Sequence, residues 1–159
     1  MASRLPDGQP APADGGLPEG ATASLGKGPF GFYVHVPFCQ ARCGYCDFNT
    51  YTAAELGPGV SRASYASQVI SEVRLARTVA GDAIVPVTSV FFGGGTPTLL
   101  PPGDLGEILR VIGGEFGLAP DAEVTVEANP ETVDERSLAG LRAAGMNRIS
   151  LGMQSAAPH

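Results

Sequence analysis

Residues 33–48 read Tyr33-Val34-His35-Val36-Pro37-Phe38-Cys39-Gln40-Ala41-Arg42-Cys43-Gly44-Tyr45-Cys46-Asp47-Phe48. The run from Phe32 to Val36 is β-branched and aromatic and reads as a strand. Pro37 ends it, because proline has no N–H to give to a ladder. Cys39, Cys43 and Cys46 then fall on a loop just past the C-terminal end of that strand. They are the only cysteines in the chain.

Reading onward, strands and helices alternate. Gly57-Pro58-Gly59 marks a break and Ser61 is a helix N-cap. Tyr65, Val69, Val73, Ala76 and Ala80 recur at helical spacing and predict an amphipathic helix of about 18 residues. Thr88 to Phe92 reads as the second strand. Pro101-Pro102 opens a second helix with Leu105, Ile108, Leu109 and Ile112 on its apolar face, and Gly113-Gly114 reads as its stop. Glu123 to Glu127 is the third strand. Thr132-Val133-Asp134-Glu135 fits a capping box opening a third helix that buries Leu138 and Leu141 and stops at Gly145. Arg148 to Leu151 is the fourth strand. This β-α-β-α-β-α-β order predicts an α/β fold with a parallel sheet and right-handed crossovers, either doubly wound or barrel-like.

The cysteine spacing offers three thiolates to one small inorganic centre. Iron–sulfur clusters are held by cysteine thiolates. On a four-iron cubane, three thiolates leave one iron open to a small chelating molecule, and the amino and carboxylate groups of S-adenosylmethionine suit that role. Zinc is the rival, since His35 offers a fourth ligand for a Cys3His site. Three inert thiols are the bland alternative. An odd cysteine count argues against a closed disulfide framework.

In parallel α/β folds ligands sit at the C-terminal ends of the strands. The second strand runs into Gly93-Gly94-Gly95-Thr96-Pro97, the third into Glu127-Ala128-Asn129-Pro130, and the fourth into Gly152-Met153-Gln154-Ser155. The glycine run lacks the Gly-Lys-Ser/Thr ending of a phosphate loop and the G-x-G-x-x-G of a dinucleotide turn. Bare glycines still let a ligand approach the backbone, although in isolation a plain tight turn is the favoured reading. Alone, Glu127 reads as a solvated strand end and Gln154 as a surface amide. Tyr45 sets an aromatic face beside the cysteines, where loop packing is the simpler role.

The chain has 159 residues, 43% of them hydrophobic, enough for one domain with a real core. Its net charge of −6 gives no basic footprint for nucleic acid. No apolar run approaches the ~18 residues that span a bilayer. Residues 1–29 carry no aromatic residue and are mostly Gly, Pro, Ala and Ser, so they read as a disordered tail before a domain at 30–159. They lack the basic start and apolar core of a signal peptide. Free thiols suit a reducing cytoplasm.

Over roughly residues 30–155 these motifs resemble the radical S-adenosylmethionine superfamily. The phrase Tyr-x-His-x-Pro-Phe-Cys-x3-Cys-x-Tyr-Cys is similar to the branch containing oxygen-independent coproporphyrinogen III dehydrogenase and the heme chaperone HemW. The resemblance implies a partial (β/α)6 barrel, of which four strands lie here, so the chain reads as the N-terminal portion of the core domain and His159 as an accident of the endpoint. It implies a [4Fe–4S] cluster on Cys39, Cys43 and Cys46. It also implies S-adenosylmethionine contacts at Tyr33, Tyr45, Gly94, Gly95, Thr96, Glu127 and Gln154, the glycine motif accepting the amino group of the methionine moiety. No catalytic residue is assigned. Two functions follow: radical decarboxylation of coproporphyrinogen III in porphyrin biosynthesis, or delivery of heme to hemoproteins. The dehydrogenase carries a further cysteine two residues past the last cluster cysteine. Phe48 stands there, so the chaperone is favoured. The implied partners are heme, recipient hemoproteins at the membrane, and an electron donor such as flavodoxin or ferredoxin. The implied location is cytoplasmic, peripheral at the inner membrane face.

Overall fold

The computed structural model describes residues 12–41, 43–44, 46–52, 61–81 and 86–153, with Pro10 and Glu55 besides. Four strands form one parallel sheet: β1 (Phe30–Val36), and, beyond two shorter strands β2 (Phe38–Cys39) and β3 (Tyr51–Thr52), β4 (Val87–Gly94), β5 (Leu118–Ala128) and β6 (Arg148–Leu151). Their spatial order is β1-β4-β5-β6, the order in which the chain makes them. Helices α2 (Arg62–Ala80), α3 (Pro102–Phe116) and α4 (Glu135–Ala143) make the crossovers; α1 (Glu19–Thr22) is a single turn. Right-handed crossovers that always step the same way put every helix on one face. Accordingly α2 packs on α3, and α3 on α4. This is the winding of a barrel wall, as the resemblance implies, and not of a doubly wound sheet.

The core lies between sheet and helices. Val34, Val36, Val90, Phe92, Val124 and Val126 meet Ile70, Val73, Leu105, Ile108 and Ile112, all buried. Tyr65 and Ala66 join them from the start of α2, whose N-cap is Ser61, its Oγ accepting the Ser64 N–H.

Several sequence expectations need correction. The second helix does not stop at Gly113-Gly114 but runs to Phe116, with Gly117 at φ +76° as its cap. Phe116 is buried and packs edge-on against Phe32 at 4.9 Å, and that contact holds the last turn. The third helix opens at Asp134, not Thr132. Asp134 Oδ1 accepts the Ser137 N–H at 2.7 Å, and Ser137 Oγ accepts the Asp134 N–H at 2.7 Å. Leu141 is buried but Leu138 is 39% exposed, because the apolar hollow it lines with Ile149 is open to solvent. Cys39 lies in β2 rather than on a free loop. Pro37 lacks a donor but its carbonyl accepts the Tyr51 N–H at 2.7 Å, which lets Phe38–Cys39 pair in parallel with Tyr51–Thr52.

Within the stretch read as a tail, Leu17 and Leu25 line an apolar hollow with Phe30, Phe32 and Phe116. Among the described residues no helix is long and apolar enough to cross a membrane.

The cap at α4 carries a pH signature. The Ser137 amide and hydroxyl hold the Asp134 carboxyl below its ordinary pKa. A depressed carboxylate contributes stability that is full above its unfolded pKa of about 3.9 and disappears as pH falls through the lower folded value. Asp134→Ala is therefore expected to lower the melting temperature at pH 7 and to flatten its fall at acid pH. Melts of both proteins from pH 7 to pH 2 check this; parallel curves would rule it out.

Candidate cofactor site

Strand register brings the separate motifs to one edge. Val36 lies opposite Gly94 and His35 opposite Gly93. Phe92 lies opposite Val126, which sets the glycine run beside Glu127. Glu127 in turn lies opposite Ser150. All four strands thus end together, where the cysteine segment begins.

The contacts at this edge are specific. Glu127 Oε2 accepts the Gly94 N–H at 3.1 Å. The Gly95 N–H goes to the Val36 carbonyl and the Thr96 N–H to the Phe38 carbonyl, both at 2.7 Å. Three successive amides are thus engaged by the protein. A ligand amine, itself a donor, would have to meet carbonyl and carboxylate oxygens here. The glycines are also tightly enclosed. A Cβ on Gly93 would lie 2.9 Å from Glu127 Oε2 and 3.0 Å from the Tyr33 ring. One on Gly94, at φ +112°, would lie 2.7 Å from the His35 ring. One on Gly95 would lie 2.5 Å from the Phe38 carbonyl oxygen and 2.9 Å from Cys39 Sγ. Hence Tyr33, His35, Cys39, the glycines and Glu127 form one cradle.

Tyr33 is 58% exposed at the rim and stacks on Phe91 at 6.1 Å. Partial burial, then the negative Glu127, raises its pKa. Thr96 is buried, its hydroxyl accepting from Asn129 Nδ2 at 3.4 Å. Thr98 and Thr132 share a hydroxyl bond at 2.6 Å, and Thr132 Oγ1 donates to the Asn129 carbonyl. These bonds brace the turn after β4 against the turn after β5. Sequence reasoning gave Thr98 and Thr132 no part in the site, because the bond between them joins residues 34 positions apart and has no local signature. Tyr45 and Gln154 lie outside the described residues.

His35 has a defined role. Its Nε2 is 2.8 Å from the Asn49 carbonyl, which can only accept, so Nε2 carries the proton. Its Nδ1 lies 2.9 Å from Tyr33 Oη, a hydroxyl from which the Nε2–H tautomer accepts. The Tyr65 hydroxyl donates to the His35 carbonyl at 2.6 Å, and burial, then the Glu72 and Tyr33 charges, raises the Tyr65 pKa. Both ring nitrogens of His35 are engaged away from the thiols, which counts against the Cys3His zinc site. The histidine tethers the segment behind the cysteines to β1.

Cys39 and Cys46 are half-buried, Cys43 is exposed, and all three are free thiols. A turn closes between the last two, the Cys46 N–H donating to the Cys43 carbonyl. Among the described residues no three His, Cys, Asp or Glu side chains stand together as a finished metal site. The donor set nevertheless fits a cluster: three accessible soft ligands on one short segment, beside a run of three bare glycines.

Comparison with known proteins identifies the family. The Radical SAM superfamily model matches residues 33–159. The heme chaperone HemW of Mycobacterium tuberculosis (strain ATCC 25618 / H37Rv) is 53% identical over 131 residues, 82% of this chain and 33% of that protein. The oxygen-independent coproporphyrinogen III oxidase of Bradyrhizobium diazoefficiens is 37% identical over 142 residues, 89% of this chain and 29% of that protein. The solved structure of coproporphyrinogen III oxidase (HemN) from Escherichia coli, a radical SAM enzyme, superposes with a TM-score of 0.73 at 28% identity, over 87% of this chain and 31% of that one. The chain thus spans about a third of the length of the curated relatives it matches.

Proposed function

The chain belongs to the radical S-adenosylmethionine superfamily, and from that premise we propose that the full-length protein is a heme chaperone of the HemW type. It holds a [4Fe–4S] cluster and S-adenosylmethionine, takes up heme as cargo and hands it to recipient hemoproteins. The observation that carries this choice is Phe48, two residues past Cys46 and 69% exposed, where the dehydrogenase has a further thiol. The 53% identity to a HemW protein supports it.

In this reading Cys39, Cys43 and Cys46 hold the cluster. Bound to three thiolates, such a cluster supplies one open iron and one electron to the sulfonium cofactor. The remaining work falls to the chain's own groups. Glu127 and the glycine carbonyls receive the cofactor's amine, while Thr96 and Asn129 fix the turn that presents them. Tyr33 closes the outer side with its ring. Gln154 and Tyr45 complete the contacts. A donor such as flavodoxin or ferredoxin supplies the electron. The protein works in the cytoplasm, peripherally at the inner face of the membrane, where recipients are loaded.

A second reading, oxygen-independent coproporphyrinogen III dehydrogenase, has in its favour the structural likeness to the Escherichia coli oxidase. An anaerobic turnover assay with reductant and S-adenosylmethionine, run beside a heme titration of full-length protein, separates the two. The expected result is stoichiometric heme uptake with no multiple turnover of coproporphyrinogen III. Sustained decarboxylation without heme uptake would reverse the choice.

A further inference from the structure

The segment behind the cysteines holds a polar group that the site described so far does not use. Thr50 is 2% exposed, and its hydroxyl lies 3.7 Å from Cys46 Sγ. Both of its neighbours are pinned. Asn49 accepts the His35 Nε2 proton at its carbonyl and the Tyr51 hydroxyl proton at its side-chain oxygen, the latter at 2.6 Å. Tyr51 donates its N–H to Pro37. The Thr50 N–H itself donates to the Phe48 carbonyl at 2.8 Å. Held on both sides, the backbone presents this hydroxyl toward Cys46. With a neutral thiol either atom could donate, but a thiolate has no proton, so only the hydroxyl can.

A donor aimed at a ligating sulfur stabilises the added negative charge when the cluster is reduced. We infer that Thr50 is a tuning residue of the cluster: its hydroxyl donates to the Cys46 thiolate and raises the reduction potential. His35 supports this at one remove, by fixing the Asn49 carbonyl and with it the backbone that presents Thr50. The inference rests on the cluster reading above and assigns Thr50 a role distinct from ligation and from cofactor binding.

The test uses full-length protein reconstituted anaerobically with iron and sulfide, and redox titration followed by electron paramagnetic resonance. Thr50→Val keeps the shape and removes the hydroxyl; Thr50→Ser keeps the hydroxyl. The expected result is that Thr50→Val loads iron but shows a more negative potential, so that its reduced fraction at the wild-type midpoint falls several-fold. Thr50→Ser should stay near wild type. A wild-type potential in Thr50→Val would overturn the inference, as would an equal shift in both variants. Should Thr50→Val fail to load, the wild-type resonance Raman spectrum decides. An iron–cysteine stretch that moves on exchange into D2O supports the donor, and one that does not move removes it. If wild type itself takes up no iron, it is the cluster reading that fails.

Discussion

Cys43→Ala in the full-length protein is expected to abolish cluster assembly while leaving the fold intact. Iron and sulfide contents should fall to background after anaerobic reconstitution, and the signal of the reduced cluster should vanish. The position is chosen because the Cys43 side chain is exposed, whereas Cys39 touches the glycine turn and Cys46 meets the buried Thr50. An exposed side chain contributes little packing, so the apo protein should melt within a degree or two of wild type. A cubane held by only two cysteines loses its third anchor, and residues 1–159 hold no other thiol to replace it. Retention of wild-type iron by Cys43→Ala would defeat the three-thiolate assignment. Stoichiometric zinc with no iron in the wild-type protein would reinstate the Cys3His alternative, despite the engagement of both His35 nitrogens.

The order of elements was legible because each rests on a local pattern. Strands β1 and β4 are short runs rich in β-branched and aromatic residues bounded by Pro or Gly, β6 alternates polar and apolar residues, and α2 shows its stripe and its Ser61 cap in plain sequence. The errors fall where a tertiary contact overrides a local signal. Gly113-Gly114 is a stop signal that Phe116 defeats by docking on Phe30 and Phe32. Thr132 is a good cap residue, but its hydroxyl is bonded to Thr98 and to the Asn129 carbonyl, and Asp134 caps instead. Strand β5 begins five residues before its expected start because Leu118 pairs with Val87, ahead of a register shift.

The candidate site divides in the same way. Tyr33, Cys39, the glycines and Glu127 could be read from motif and resemblance, because they sit at or beside strand ends that the pattern locates. What the sequence could not give is who holds whom. The Glu127 bond to Gly94 spans 33 residues, and the His35 bond to Asn49 spans 14. Both depend on register, which no single strand encodes. Thr50 illustrates the point: an ordinary threonine by composition, it becomes notable only when burial and the position of Cys46 are known.

The glycine turn gives the second large effect, because it ties the fold to the site. Gly95→Ala should destabilise the protein by about 2–3 kcal/mol, at the upper end for overpacking, lowering its melting temperature by roughly 5–10 °C for a domain of this size. The added Cβ would lie 2.5 Å from the Phe38 carbonyl oxygen. That oxygen cannot retreat freely, since it accepts the Thr96 N–H, and Gly95 cannot swing away, since its own N–H is bonded to Val36. The strain must pass to β2, and therefore to Cys39, whose sulfur would be 2.9 Å from the same methyl group. Iron loading should fall together with stability. Gly114→Ala is the control: Gly114 lies within α3 with nothing within 4 Å of an added Cβ. Helix propensity alone should make that change neutral or stabilising by up to about 1 kcal/mol. Thermal melts and iron assays on both variants decide the matter. If Gly95→Ala melts and loads iron like wild type but binds S-adenosylmethionine poorly, the glycine serves only to leave room for the ligand. If it loses stability and iron together, the bare backbone is first a packing requirement of β1 and β2, on which the ligand gap is built.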